Sequence, residues 1–159
     1  INKILNLFIK TIIVYGNLFL SRFYNFINKG YILDTNLEDF QKWFDKGLEF
    51  AKLGFPDKAV ENFEKAAWID SNHYDVQFNL GTAYLSMGMF EQALINFNRV
   101  IEMKSDMPDA YGNRAIVHAA LFEDKLCELD RNEAIKYGAP PDGLAAVISH
   151  VKSIRKKGE

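Results

Sequence analysis

The sequence has little of what disulfide-rich, collagen-like or disordered proteins depend on. Its single cysteine, Cys127, can form neither an internal disulfide nor a structural zinc site by itself. Four prolines and ten glycines argue against a long disordered or collagen-like part. The 159 residues are 48% hydrophobic and 25% charged, which is enough apolar material for one domain with a core.

Acidic residues are missing from the front of the chain. Residues 1–33 have a charge of +4 and no acid, whereas the remainder has a charge of −6. An acidic body lacks the basic face that phosphate binding requires, so we predict that nucleic acid is not a partner. The chain begins with Ile1 rather than Met, and we therefore expect a processed or incomplete N-terminus.

What the sequence does contain is an internal repeat, because a shift of 34 residues superimposes the chain on itself. The clearest coincidences are Gly47 with Gly81 and Ala115, Phe50 with Tyr84 and His118, and Ala59 with Ala93 and Cys127. Within the first unit, small and aromatic residues recur at helical spacing, and Gly54 and Pro56 lie at the break between two predicted helices.

The stretches WFDKGLEFAKLGFPDKAVENFEKAAWID and QFNLGTAYLSMGMFEQALINFNRVIEM resemble the tetratricopeptide repeat. The resemblance implies an all-α fold, an α-solenoid of about three antiparallel helix pairs whose stacking buries a continuous core. An apolar stripe from Leu144 to Ile154 predicts a capping helix at the end. The predicted parts are an apolar N-terminal helix (1–30), a linker (31–39), the repeats (40–73, 74–107 and 108–141), and a capping helix with a basic tail (142–159).

The third unit departs from the pattern. Arg131 stands where the first two units have Phe63 and Phe97, and Phe122 stands at the position of the glycine between the helices. One interpretation is that a terminal repeat faces different neighbours and has drifted. The other is that Arg131 forms an ion pair with a partner.

No catalytic motif is apparent. The three histidines are far apart and lack the spacing of a metalloprotease motif. His118 occupies an aromatic position of the repeat and Cys127 a small one, so we expect both in the interior. We predict no enzymatic activity, no cofactor and no metal site, and an enzyme with an unrecognised site is the least favoured alternative.

The resemblance implies that partner segments bind in a concave groove lined by the first helix of each pair. The predicted groove residues are Phe44, Asp45, Leu48, Lys52, Phe78, Asn79, Thr82, Leu85, Asn113 and Ile116, with Asp75 and Asp109 beside them. Large apolar groups there favour an amphipathic helix or an apolar peptide, which could be the chain's own N-terminal helix. The alternative is that they are half-buried between the helices.

One subgroup of the family binds the C-terminal carboxylate of heat-shock chaperones with two lysines, two asparagines and one arginine. At those positions this chain has Phe44, Leu48, Asn79, Asp109 and Asn113. Only one asparagine matches and one charge is reversed. We therefore predict that a heat-shock C-terminal tail is not the partner.

Residues 3–28 are strongly apolar, and their polar residues form one narrow stripe on a helix. About 20 apolar residues are the length of a membrane span. A helix in or on a membrane, a helix packed against the repeats or a partner subunit, and an uncleaved targeting segment are the competing interpretations.

These features together predict a non-catalytic protein-interaction scaffold. We expect it to be membrane-associated, in an organelle such as a plastid or mitochondrion, where it assists assembly of a membrane protein complex. The alternative is a constitutive accessory subunit of such a complex.

Overall fold

The computed structural model describes residues 37–155 of the chain. Within this range the chain is helical apart from short turns and contains no strand, which confirms the all-α class. The helices are α1 (37–52), α2 (Pro56–Ile69), α3 (Tyr74–Ser86), α4 (Phe90–Met103), α5 (Pro108–Ala120), α6 (Asp124–Lys136) and α7 (Pro141–Arg155).

The helices follow one another as a stack of pairs. Three residues join the two helices of each pair, and four join one pair to the next. Connections this short place successive helices side by side and antiparallel. Each helix from α2 to α5 packs against the next, α5 packs against both α6 and α7, and α3 also contacts α5.

The close contact between paired helices depends on a glycine facing a phenylalanine. A Cβ added to Gly47 would lie 2.4 Å from ring carbons of Phe63, and one on Gly81 would lie 2.7 Å from the ring of Phe97. Both rings are fully buried. The glycines of α1 and α3 therefore leave the space that these rings fill.

The third pair has exchanged both partners of this contact. Arg131 replaces the phenylalanine, and its guanidinium bonds at 3.0 Å to Glu128 on its own helix. Ala115 replaces the glycine and is fully buried. Because Arg131 supplies no ring to pack against position 115, the methyl group of Ala115 is tolerated. The loss of the ring therefore accounts for the loss of the glycine.

The turn between paired helices requires a left-handed residue. Gly54 and Gly88 have φ of 78° and 72°, and Phe122, at the equivalent place, has φ of 63°. A side chain in this region costs about 1–2 kcal/mol. The exposed Phe122 ring lies 4.6 Å from the guanidinium of Arg155, and this cation–π contact offsets part of the cost.

Helix α7 closes the stack against the third pair. Ile148 is buried in a cluster with Ala115, Ala119 and Cys127. Arg155 donates to the carbonyl oxygen of Ala119. The last turn of α7 is thus tied to the turn between α5 and α6.

Ion pairs add to this attachment. Arg155 donates to both carboxylate oxygens of Asp124 at 2.8 Å, and Lys152 approaches the same carboxylate at 2.9 Å. The hydrogen bonds from Lys152 and Arg155 lower the pKa of Asp124. The basic residues at the end of α7 therefore serve the packing of this helix as well as its dipole.

The predicted apolar helix (1–30), most of the linker and the last four residues of the basic tail lie outside the described residues. Among residues 37–155, none of the helices has both the length and the apolar composition that a membrane span needs.

We predict that Gly81→Ala lowers the free energy of unfolding by about 1–3 kcal/mol, because the new methyl group overlaps the Phe97 ring. Gly112→Ala is the matched control. It lies inside α5, and its Cβ would meet nothing closer than 3.7 Å, so the better helix former should stabilise by about 0.5–1 kcal/mol. Urea unfolding measures both, and equal effects would contradict the glycine–phenylalanine contact.

We predict that Asp124→Asn destabilises the chain at neutral pH, and that this loss of stability becomes smaller as the pH falls. A carboxyl group with a lowered pKa stabilises the fold above its unfolded value, near 4. That stabilisation is lost as the pH falls through the lowered value. Urea midpoints at neutral and acid pH measure it, and Asp106→Asn, at an exposed turn position, is the control. A wild-type advantage that persists at low pH would contradict the role of the carboxylate.

Candidate protein-binding site

The predicted groove residues lie on three helices in register. Four are on α1, four on α3 and two on α5. A direct bond links two of these helices, because Asn113 on α5 donates to the hydroxyl oxygen of Thr82 on α3 at 3.3 Å. The structure therefore brings the α3 and α5 members together on one side of the stack.

Most of the apolar groove residues are committed to packing between helices. The Phe44 ring lies 5.9 Å from the rings of Phe40 and Phe63, and the Phe78 ring lies 6.1 Å from that of Phe97. Leu85 and Ile116 are half-buried against the core clusters of their repeats, and among the apolar groove residues only Leu48 is exposed. The observation favours the second interpretation, in which these groups are half-buried, over a broad apolar floor.

The groove contains instead a cavity of about 380 Å³ between the first and second repeats. It is lined by Ala51, Gly54, Pro56, Asn79, Thr82, Ala83 and Ser86. Only two of these, Asn79 and Thr82, were among the predicted residues. The others are small, and the signal that could have found them is a series of small residues on the facing turns of α1 and α3.

The polar side chains of this cavity direct their donors to the helix backbone. Asn79 donates to the carbonyl of Asp75 at 2.7 Å, Thr82 to that of Phe78 at 3.0 Å, and Ser86 to that of Ala83 at 2.7 Å. A hydroxyl group that donates in this way offers its oxygen as an acceptor, as does the amide oxygen of an asparagine. Asn79 and Ser86 therefore present oxygen to a ligand, whereas the Thr82 oxygen already accepts a bond from Asn113.

Carboxylates lie on the first helix of each of the three pairs. Asp45 and Asp109 are exposed, and the side chain of Asp75 is 42% exposed. The predicted groove contains one cation, Lys52, which is also exposed. The groove is therefore acidic and rich in acceptors.

A buried ionic network fills the interior of the third repeat. The Nδ1 atom of His118 lies 2.6 Å from Glu123 and its Nε2 atom 3.5 Å from Asp130. Arg114 donates two bonds to Asp130, at 2.6 and 2.7 Å, and a third to Asn98 on α4 at 2.7 Å. His118 is an interior histidine with partners, whereas its pairing with Asp130 and Arg114 was not anticipated.

Two further titratable side chains are Cys127, which lies within a core cluster, and Tyr84, which is partly buried against one. Cys127 is fully buried, and burial raises the pKa of its thiol, so little of it is the reactive thiolate. The Tyr84 hydroxyl donates to Glu64 at 2.8 Å, and burial together with this bond raises its pKa to about 12. Both side chains hold helices together.

Residues 74–107 match the sequence model of the tetratricopeptide repeat. They comprise α3, α4 and the turn between them, with the glycine–phenylalanine contact at their centre. Residues 74–107 therefore form a tetratricopeptide repeat. The solved neighbours of the chain share the fold, as the following comparisons show.

The tetratricopeptide domain of Arabidopsis OM64 has a TM-score of 0.68 at 19% identity, over 74% of this chain and 98% of that one. The first tetratricopeptide domain of Spaghetti (RPAP3), solved bound to the HSP90 peptide SRMEEVD, has a TM-score of 0.66 at 17% identity, over 74% of this chain and 93% of that one. These likenesses establish the fold of the repeats.

Among curated proteins, the chain is similar to the Hsp70-Hsp90 organising protein of Plasmodium falciparum. The two are 26% identical over 119 residues, which are 75% of this chain and 47% of the relative. The chain therefore spans about half the length of that relative.

We predict that Asp130→Ala lowers the free energy of unfolding by about 2–3 kcal/mol, because it leaves the Arg114 guanidinium without its buried carboxylate. Glu128→Ala, which breaks the exposed pair with Arg131, should cost less than about 1 kcal/mol. Thermal and urea unfolding measure both, and similar losses would show that burial of the network is unimportant.

Proposed function

We propose that this tetratricopeptide-repeat chain is a non-catalytic interaction module whose concave face binds an amphipathic segment with basic residues from another protein. That repeats of this family bind protein partners is shown by the relatives. The chemistry of the segment is inferred from the groove. The proposal depends on the cavity of about 380 Å³, whose polar side chains present oxygen atoms to a ligand.

The size and lining of the cavity suit one side chain of a bound segment. Ala51, Ala83 and Ser86 keep its walls close to the helix backbone. A pocket for one side chain with acceptors at its edge is how a groove holds a segment in one register.

The charge of the groove selects the segment. Asp45, Asp75 and Asp109 attract lysine and arginine side chains and repel a carboxylate, which fixes specificity and association rate more than affinity. Thr82 and Ser86 donate their hydroxyl hydrogens to the helix, and one of the two N–H donors of Asn79 is used in the same way, which leaves one amide N–H in the cavity for an anion.

A heat-shock tail is the alternative ligand. The relatives named above include an Hsp70-Hsp90 organising protein and a domain bound to SRMEEVD, and they weaken the prediction that excludes such a tail. The evidence against a heat-shock tail is the sequence at the five clamp positions, where only Asn79 matches the residues of the clamp. Direct competition between the two ligand classes decides the question.

We predict that, in a peptide library with one amphipathic pattern and graded net charge, binding to the chain strengthens as positive charge increases. SRMEEVD should bind more weakly than the basic peptides. Ala51→Phe should fill the cavity from its exposed edge and weaken binding about tenfold or more. Fluorescence anisotropy at fixed salt measures each affinity.

Ala146→Phe, the same change at an exposed position of α7, is the matched control and should leave binding unchanged. Tighter binding of SRMEEVD than of any basic peptide would replace the proposal by the heat-shock ligand. Equal binding by Ala51→Phe and the wild type would remove the cavity from the site.

We also propose that residues 3–28 bring the repeats to an organellar membrane, where the module assists assembly of a membrane protein complex. The support is the apolar sequence with basic residues at its ends. Release of the full chain by alkaline carbonate would refute membrane insertion. Steady co-migration with one complex on native gels would favour the alternative, a constitutive subunit.

A further inference from the structure

The face of α1 opposite the groove corresponds to a face that is covered in the later repeats. Leu80 on α3 is 5% exposed and packs in one cluster with Ala59 and Phe63 of α2. Tyr84, one turn further, bonds to Glu64 of α2. This face of each first helix is therefore where the second helix of the preceding pair docks.

On α1 the equivalent residues are Trp43, Lys46 and Phe50, and among the described residues no helix pair precedes them. They line a cleft of about 350 Å³, which we call the lysine–tryptophan cleft. Its lining residues are Trp43, Lys46, Glu49, Phe50, Lys58, Glu61, Asn62 and Lys65.

Four ammonium groups converge on the aromatic rings of this cleft. Those of Lys42, Lys46 and Lys65 lie 5.0, 5.2 and 4.6 Å from the centre of the Trp43 ring, and that of Lys58 lies 5.5 Å from the Phe50 ring. The ring faces attract these cations.

Two carboxylates line the cleft together with three of these lysines, Lys46, Lys58 and Lys65. Lys65 donates to Glu61 at 2.6 Å, and Glu49 is the other acid. The cleft retains a net positive charge, which an added carboxylate would neutralise. The position equivalent to Lys46 is Leu80 in the second repeat and Arg114 in the third, where the guanidinium is paired with the buried Asp130.

We propose that the lysine–tryptophan cleft docks an acidic amphipathic helix of a partner protein, in the manner in which α2 docks on α3. A helix fits because the equivalent faces of α3 and α5 are covered by helices. An acidic helix fits because lysines surround the aromatic floor. Residues 1–33 of this chain are basic and contain no acid, so their charge disfavours them as the occupant.

This site is distinct from the concave groove in place and in charge. Residues 43, 46 and 50 lie on one side of α1, and residues 45, 48 and 52 lie on the other, because successive residues turn by about 100°. The groove is acidic and the cleft basic, so one chain can bind two segments of opposite charge.

The test uses the full chain and a fluorescein-labelled peptide of residues 56–69, the α2 sequence, with Lys58→Glu and Lys65→Glu. This peptide keeps the apolar face that α2 presents to α3 and carries acids on its polar face. Lys46→Glu in the full chain should weaken its binding about tenfold, because a charge lining the cleft is reversed. Lys125→Glu, the same change at an exposed position of α6 that does not line the cleft, should leave binding unchanged.

A second peptide with every acid replaced by glutamine should bind the wild type more weakly, and circular dichroism should show both variants fully helical. The proposal is overturned if the acidic peptide binds the wild type with a Kd weaker than about 1 mM. It is also overturned if the two variants lose affinity equally. Vesicles of phosphatidylserine and phosphatidylcholine form a third arm, and Lys46-dependent binding to vesicles without binding to the peptide would assign the cleft to a membrane.

Discussion

The contact between a glycine of one helix and a phenylalanine ring of the next determines how closely the paired helices approach. At Gly47 and Gly81 there is no room for even one methyl group. Interiors are packed densely enough that such a contact sets the helix position to a fraction of an ångström. The turns, the covered faces and the groove all follow from this spacing, because each pair contacts mainly its neighbours.

The same helices present different chemistry on different sides. On the concave side, hydroxyl and amide groups of α3 are bonded to their own helix and present oxygen beside carboxylates. On the opposite side of α1, lysines surround Trp43 and Phe50, whereas the second repeat has Gln77, Leu80 and Tyr84 at the equivalent positions. Repeat geometry fixes the interior contact of each helix. The residues on the outer faces of that helix can still vary, and with them the segments that these faces bind.

The period, the helix pairs and the buried phenylalanines could be predicted because the repeat places the same residue types in the same environment several times. The cavity could not be predicted, because it results from the small side chains of Ala51, Ala83 and Ser86 rather than from a motif. The sequence left two interpretations of Phe44 open, exposed in the groove or half-buried between helices, and its ring contacts favour the second. The network of His118, Asp130 and Arg114 joins residues that no repeat pattern relates. The cleft lined by Lys46 is likewise not encoded by a motif.

The attachment of α7 limits which insertions this helix can tolerate. One guanidinium, that of Arg155, binds the ring of Phe122, the carbonyl of Ala119 and the carboxylate of Asp124 within six residues of chain. A residue inserted in the first turns of α7 would rotate Arg155 by about 100° and carry it about 1.5 Å along the axis. All three partners would be lost together, so the length of this helix is as strictly fixed as the identity of the residue at its end.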